Sequence, residues 1–456
     1  MKTEKLKQNV KGYVHQFEDG GLRLLRKGQK GVIHAIFSRF GLVLILLLLQ
    51  VGLLFSIFRW FGNLWPHYFG GSVVVTSAMV IYLLNSKMDN SAKITWMVVV
   101  AIAPVVGIPM FFYVKSNFGH NILRKRLLEL EDQLRGWLPQ SQKAVAQLKA
   151  LEPGAASLAK YLYGRGGGFP VYQNTAMTYF PGGEEKFEEL LRQLETAEEY
   201  IFVEYFIIDE GLMWGKILEV LARKALQGVD VRVMYDGTCE FSTLPRNYPR
   251  LLEKLNIQCK VFSPVQPFVS THYNYRDHRK ILVIDGRVGF TGGVNLADEY
   301  INHIQKHGRW KDAAVMLEGE AVRSLTAQFL QMWGILKEPK YEQFLTRPIP
   351  VPENAKGVAA PYGDCPLDGE RVGEMVYIDL LNRARDYIHI MTPYLILDGE
   401  LETALKFAAE RGVDVHLILP GKPDKRFPYA LAKSHYSALL DSGVKISEWS
   451  PGFVHA

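Results

Sequence analysis

Cysteine is almost missing from this 456-residue sequence: Cys239, Cys259 and Cys365 are the whole complement. An odd number with no Cys-x-x-Cys pair offers no metal site and fits a reducing compartment. Surplus charge is scarce as well. The formal net charge is +6, and residues 1–39, with nine Lys or Arg against three acids, carry all of it. The rest of the chain is close to neutral, which argues against a dedicated nucleic-acid binder. The glycine-rich stretch 164–168 lacks the Gly-Lys-Ser/Thr ending of a phosphate loop and reads as a flexible boundary. A secretory signal is missing too: the first apolar run starts about 40 residues in, is too long and has no small-residue cleavage site.

What the front of the chain does have is apolar length. Residues 41–61 and 94–114 are each long enough to span a bilayer. Residues 69–84 are shorter and suit a thin span, a re-entrant segment or a helix packed on its neighbours. The basic tail before them is a positive-inside signal and a surface for anionic headgroups. Three full spans would put the remaining chain outside, whereas Arg124-Lys125-Arg126 favours the inside; two full spans satisfy both. The expectation is a multi-pass membrane protein whose later domains lie on the cytoplasmic face. Residues 123–151 alternate charge with Leu at helical spacing and read as an amphipathic linker on the membrane or on the body of the protein.

The chemistry is concentrated in Asn274-Tyr275-Arg276-Asp277-His278-Arg279-Lys280, the apolar run Ile281 to Ile284, Asp285-Gly286, and then Thr291-Gly292-Gly293-Val294-Asn295. In a strand, His278 and Lys280 share one face and Arg279 takes the other. Asp285-Gly286 is a strong hairpin signal, so residues 287–291 return as a second strand. Gly292-Gly293 permits a close backbone approach and brings Asn295 back toward the His/Lys face. A lone His-x-Lys on a strand is usually surface decoration. Joined to a turn, paired glycines and an Asn at fixed distances, it describes a pocket suited to a phosphodiester. The imidazole would attack phosphorus or protonate the leaving oxygen, while Lys280 and Asn295 stabilise charge on the non-bridging oxygens.

An internal repeat frames this motif. Tyr200-Ile201-Phe202-Val203-Glu204, a helical pattern and Gly228-Val229-Asp230-Val231 are echoed by Tyr387-Ile388-His389-Ile390, a helical pattern and Gly412-Val413-Asp414-Val415. Each continues through an amphipathic helix and a short strand to a Ser-Pro pair, Ser263-Pro264 and Ser450-Pro451. Strand, helix, strand, helix, strand is a βαβ series, which predicts an α/β sandwich built twice around a pseudo-twofold site. At the end of the chain, Phe453-Val454-His455-Ala456 looks like the start of a second copy of the His motif.

These residues resemble the H-x-K-x4-D signature of the phospholipase D superfamily. Within it, N-Y-R-x-H-R-K-I-L-V-I-D-G followed by T-G-G-V-N-x-x-D-E-Y is similar to the first motif of bacterial cardiolipin synthases, and Thr392-Pro393-Tyr394 to their second lobe. The resemblance runs from about residue 70 to the end. It implies a basic tail over 1–39, a membrane anchor over 40–115, a linker over 116–168, a first lobe over 169–340 and a second over 341–456. Residues 337–352, stiffened by Pro348, Pro350 and Pro352, resemble the join between lobes.

The resemblance also implies roles. His278 would be the nucleophile that forms a phosphohistidine, and His455 the general acid; Lys280 completes the catalytic set, with Gly293, Asn295 and Asp312 on the substrate side. Asp285 belongs to the signature but reads as a structural turn residue rather than a base. Asp312 or Glu299 would orient a catalytic His; the family usually has Trp-Arg-Asp where this chain has Trp310-Lys311-Asp312. The implied reaction moves a phosphatidyl group from one phosphatidylglycerol to another and releases glycerol, with no metal or cofactor required. Anionic phospholipid and the membrane are the expected partners, nucleic acid is not, and the number of copies is left open. The Lys, strand and Gly-rich Asn element of the second motif are not among the 456 residues, so the chain as given is expected to be inactive or nearly so. A hydrolase on the same fold and a catalytically dead membrane scaffold are the competing readings.

Overall fold

Two apolar runs, Tyr200–Tyr205 and Lys280–Ile284, are neighbouring strands in a seven-stranded sheet, and every residue of both is buried. The computed structural model describes residues 15–16, 22–23, 65–88, 90–115, 118–263, 276–335, 338–365 and 367–456. Most of the basic tail, the apolar stretch 41–61 and the pair Asn274-Tyr275 lie outside the described residues.

The large sheet is built from β1 (Thr175–Phe180), β2 (Tyr200–Tyr205), β3 (Asp230–Asp236), β4 (Gln258–Phe262), β5 (Lys280–Ile284) and β6 (Val288–Gly292). The short strand β7 (Arg309–Lys311) follows, and then the sheet's last strand, β8 (Ala314–Gly319). The spatial order is β1-β8-β6-β5-β2-β3-β4. β2, β3 and β4 run parallel, and β5 turns antiparallel against β2. Both faces are covered, so the central strands are apolar throughout rather than alternating. One face carries Ile201, Val203, Leu282 and Ile284 into a core closed by the helices Gly183–Leu194 and Leu212–Leu226. The other carries Phe202, Ile281 and Val283 against the helix Val322–Trp333. Leu127 and Leu134 of the linker helix Phe118–Arg135 join this second core, so that helix lies on the body of the protein.

The hairpin between β5 and β6 turns at Asp285 and Gly286, both at positive φ (51° and 67°), as a two-residue turn of this hand requires. Asp285 also accepts three backbone N–H bonds, from Glu198 at 2.9 Å and from Glu199 and Tyr200 at 2.8 Å each. Its carboxylate thus ties the start of β2 to the end of β5.

The later part of the chain repeats the β2-β3-β4 arrangement. Strands β9 (Tyr387–Met391), β10 (Asp414–Pro420) and β11 (Lys445–Trp449) form a parallel three-stranded sheet in that order. Tyr387 pairs with Asp414 as Tyr200 pairs with Asp230, so the repeat read in the sequence extends to the strand register. The last strand, β12 (Gly452–Val454), leaves this sheet and pairs in parallel with β7: Gly452 with Arg309, Phe453 with Trp310, Val454 with Lys311.

The described residues from 65 to 115 belong to a separate unit. Its helices are Trp65–Leu84, Asn90–Ile102 and Pro104–Lys115, around a small core of Met79, Leu83, Val100 and Phe111. Here the expectation of spanning helices is corrected: among the described residues no helix is long and apolar enough to cross a membrane. The stretch 94–114 is broken at Ala103. Pro104 restricts the residue before it and starts a new helix, leaving pieces of 13 and 12 residues. At 1.5 Å per residue each is about 20 Å long, short of a bilayer core of about 30 Å.

Replacing Asp285 with Ala is expected to lower stability by about 2 to 3 kcal/mol, since three N–H donors lose a charged acceptor. Asp285→Asn, which tolerates the left-handed turn, should retain much of it. Thermal or urea unfolding of the two variants checks this; an Asp285→Ala variant as stable as the native protein would show that the carboxylate does not brace the turn.

Candidate functional site

The leading end of β5 places His278 and Lys280 on the same side of the large sheet. Lys280 is buried, and its ammonium lies 3.0 Å from a ring nitrogen of His278 and 2.6 Å from the His278 carbonyl oxygen. The Phe206 ring, just past β2, packs against the His278 ring with centroids 4.6 Å apart. Burial lowers the His278 pKa to about 4, with the charges of Lys280 and His455 adding to the shift. Burial likewise lowers Lys280 to about 8, partly opposed by Asp312 and Asp277. At neutral pH the site therefore holds a neutral imidazole beside a cation.

His455 arrives from the far end of the chain. The β7–β12 ladder carries it past Lys311, whose carbonyl accepts the His455 backbone N–H at 2.8 Å. One residue beyond β7, the fully buried Asp312 receives His455 Nδ1 at 2.9 Å. Asp312 is itself fixed by Trp310 Nε1 at 3.2 Å and the Ala313 N–H at 2.8 Å. Tyr300, Trp310 and Phe453 surround the His455 ring, the nearest centroids 5.4 Å away. Of the two acids that could orient a histidine, Asp312 does so. Glu299 faces Lys306 at 3.8 Å.

The glycine pair has the role its position suggested. A Cβ on Gly293 would strike the Asp312 carboxylate and the His455 carbonyl, so only glycine allows this approach. Asn295 is fully buried; its oxygen accepts from the Ile207 N–H at 3.0 Å and its nitrogen donates to Tyr300 Oη at 2.9 Å. It therefore braces the loop after β2 and the ring beside His455. Asp285 stands apart from this cluster, at the opposite end of β5, about 17 Å of strand away. His278, Lys280, Gly293, Asn295, Asp312 and His455 are thus gathered, and Asp285 is not.

Three features escaped the sequence reading. Lys186 is buried and donates to Tyr205 Oη at 3.0 Å, its pKa lowered to about 7 by burial against the pull of Asp312. The visible signal was a lysine on the apolar stripe of the helix Gly183–Leu194, one turn before Leu190. Trp310 read only as part of the Trp-Lys-Asp run. Behind His278, burial and the neighbouring Asp277 charge push the Glu204 carboxyl well above its ordinary range. Among the described residues, no group of three His, Cys, Asp or Glu side chains is placed to hold a metal ion.

Residues 190–333 and 377–456 match the family described as "Cardiolipin synthase, PLD-like domain". A cardiolipin synthase of Geobacillus kaustophilus is 33% identical over 386 residues, covering 84% of this chain and 76% of that protein. One of Halalkalibacterium halodurans is 32% identical over 434 residues, covering 92% of this chain and 84% of that protein. A protein of Streptococcus mutans serotype c with no assigned function is 55% identical over 378 residues, 83% of this chain and 82% of its own length. With two histidines from a repeated α/β framework meeting beside one buried lysine, and relatives similar over most of their length, the chain belongs to the cardiolipin synthase family of phospholipase D-like proteins.

Proposed function

We propose that the chain transfers a phosphatidyl group from one phosphatidylglycerol to the hydroxyl of a second, giving cardiolipin and glycerol. The observation that carries this reading is the pairing of two histidines in different surroundings: His278 beside the Lys280 cation and the Phe206 ring, His455 bonded to a buried carboxylate. Neutral His278 attacks phosphorus, forming a P–N bond as the P–O bond to glycerol breaks. His455, donating Nδ1–H to Asp312, delivers the proton from Nε2 to the departing glycerol oxygen. The acceptor hydroxyl returns a proton to His455 as its oxygen attacks phosphorus and the P–N bond breaks. Lys280 stabilises the non-bridging oxygens throughout. Gly293 lets the Asp312 loop close on the site, Asn295 holds Tyr300 beside His455, and Asp285 acts through the fold.

Phospholipid as substrate class is supported by the cardiolipin synthases among the relatives. It is supported too by Val73, Val74, Val75, Ile81, Ile94, Val98, Ile102 and Phe112, all exposed on the helices of residues 65–115. Exposed apolar side chains in this number suit contact with a membrane. We assign the protein to the bacterial membrane, with its two lobes, 169–340 and 341–456, on the cytoplasmic side.

The test supplies phosphatidylglycerol in mixed micelles without added metal. It uses this chain and a version continued past Ala456 by the Lys, strand and Gly-rich Asn element of the first motif. Cardiolipin with glycerol from either supports the reading; phosphatidic acid alone moves it to a hydrolase. His278→Ala is expected to abolish both the product and an acid-labile, base-stable lipid adduct on the protein. Asp312→Asn should slow transfer by about 10² to 10⁴, the range of a well-placed acid–base group. In kcat/KM against pH, the acid limb should fall near pH 4, because His278 must lose its proton to attack. A basic limb should follow no higher than about pH 8, because Lys280 must keep its proton and His455 must hold the one it delivers.

A further inference from the structure

Beside the catalytic histidine lies a cavity of about 810 Å³, within the range of about 300 to 1,000 Å³ typical of small-molecule sites. Leu127, Phe262, Ile281, Leu325, Met332 and Leu367 form its apolar wall, on the face of β5 opposite Lys280. His278 and Lys280 border it where the strand begins. Its cations are matched by acids: Arg276 with Asp236 at 3.4 Å, Arg279 with Glu204 at 3.9 Å, Arg371 with Glu374 at 3.2 Å. That balance does not suit a second phosphate. Two polar atoms of the lining have no partner: Asp277 Oδ2, and the side-chain nitrogen of Gln328, an amide donor in a residue only 3% exposed. A buried N–H donor left unsatisfied is unfavourable, so an acceptor brought by a ligand would relieve it.

We propose that this cavity binds one acyl chain of the phosphatidyl donor, with the Gln328 amide donating to the ester carbonyl. The inference rests on the phospholipid reading above and names the part of the substrate that reading leaves unplaced. A phosphorus held at His278 lies at the mouth of the cavity. The glycerol backbone then crosses the strand end, and the hydrocarbon runs along Ile281 and the helix Val322–Trp333. Such an arrangement makes donor selection depend on chain length and on the ester link.

The experiment measures binding of monomeric phosphatidylglycerols with dibutyroyl, dihexanoyl and dioctanoyl chains to the full chain by calorimetry. An ether-linked dihexanoyl analogue is run beside them. Affinity is expected to rise about fourfold per methylene of the inserted chain, the value of one buried methylene. Esters should bind better than the ether, and Gln328→Leu should erase that preference. Leu367→Trp, which fills the cavity from a loop, should flatten the chain-length dependence. Should that variant not fold, the native protein still decides: Cys365 lines the cavity, and dihexanoyl phosphatidylglycerol should slow its alkylation by a maleimide while glycerol phosphate should not. Binding with no chain-length dependence, or Cys365 reacting as fast with lipid as without, overturns the acyl site and leaves the phospholipid reading standing. If none of the lipids binds and the transfer assay yields no lipid product, both fall.

Discussion

The hydrogen bond between Asp312 and His455 is the contact on which the site depends, and it is made possible by one short ladder. β12 leaves its own sheet to lie along β7, and that pairing alone brings a histidine 143 residues away in sequence into line with the buried acid. Three residue pairs set the register, and the following His455 N–H still bonds to the Lys311 carbonyl. A slip of one position would turn every β12 side chain to the opposite face. Gly293 and Gly308, where a Cβ would strike Asp312 and Pro451 respectively, keep the approach clear.

A second constraint is desolvation. β5 is central in the large sheet, so Asp277 and Lys280 at its leading end are buried with it, and ionised groups there need partners. The chain supplies them in opposed pairs. Lys280 faces Asp312 and Asp277, Arg279 faces Glu204, Arg276 faces Asp236. Desolvation, with the charges of Lys280 and His455 adding to it, keeps the His278 imidazole neutral. Lys186 extends the same logic one layer deeper, its ammonium destabilised by burial and partly restored by Asp312. Apolar surroundings thus do chemical work here: they set which groups carry charge.

Much of this was legible in the sequence because it is local. The His-x-Lys spacing, the Asp-Gly turn and the paired glycines each act over a few residues, and a period of two fixes the face each takes. The repeat was legible as well, down to the equivalence of Tyr200–Asp230 and Tyr387–Asp414. What was not legible is contact between distant segments. Nothing near Asp312 distinguishes it from Glu299 as the partner of a histidine; only the β7–β12 pairing does. Asn295 read as a phosphate donor because its neighbours did, whereas its amide is engaged by Ile207 and Tyr300. The stretch 94–114 read as a span because hydropathy averages over a window in which Pro104 counts once, although it ends a helix.

The two histidines show how a duplicated framework yields unlike roles. Equivalent positions in a repeat start with the same imidazole, and the difference must come from what the fold puts next to each ring. For His278 it is a lysine two residues on and the Phe206 ring; for His455 it is a carboxylate from the other lobe. A carboxylate bonded to Nδ1 settles the tautomer, leaving Nε2 as the nitrogen available for proton transfer. The cation beside His278 opposes protonation instead and keeps a lone pair for attack. In the proposed transfer these opposite surroundings would separate nucleophile from proton donor, so that a phosphodiester held between the rings would meet one at phosphorus and the other at its leaving oxygen. The asymmetry rests on Asp312 being bonded to one histidine and remote from the other in hydrogen-bond terms, which returns the argument to the strand that carries His455 past it.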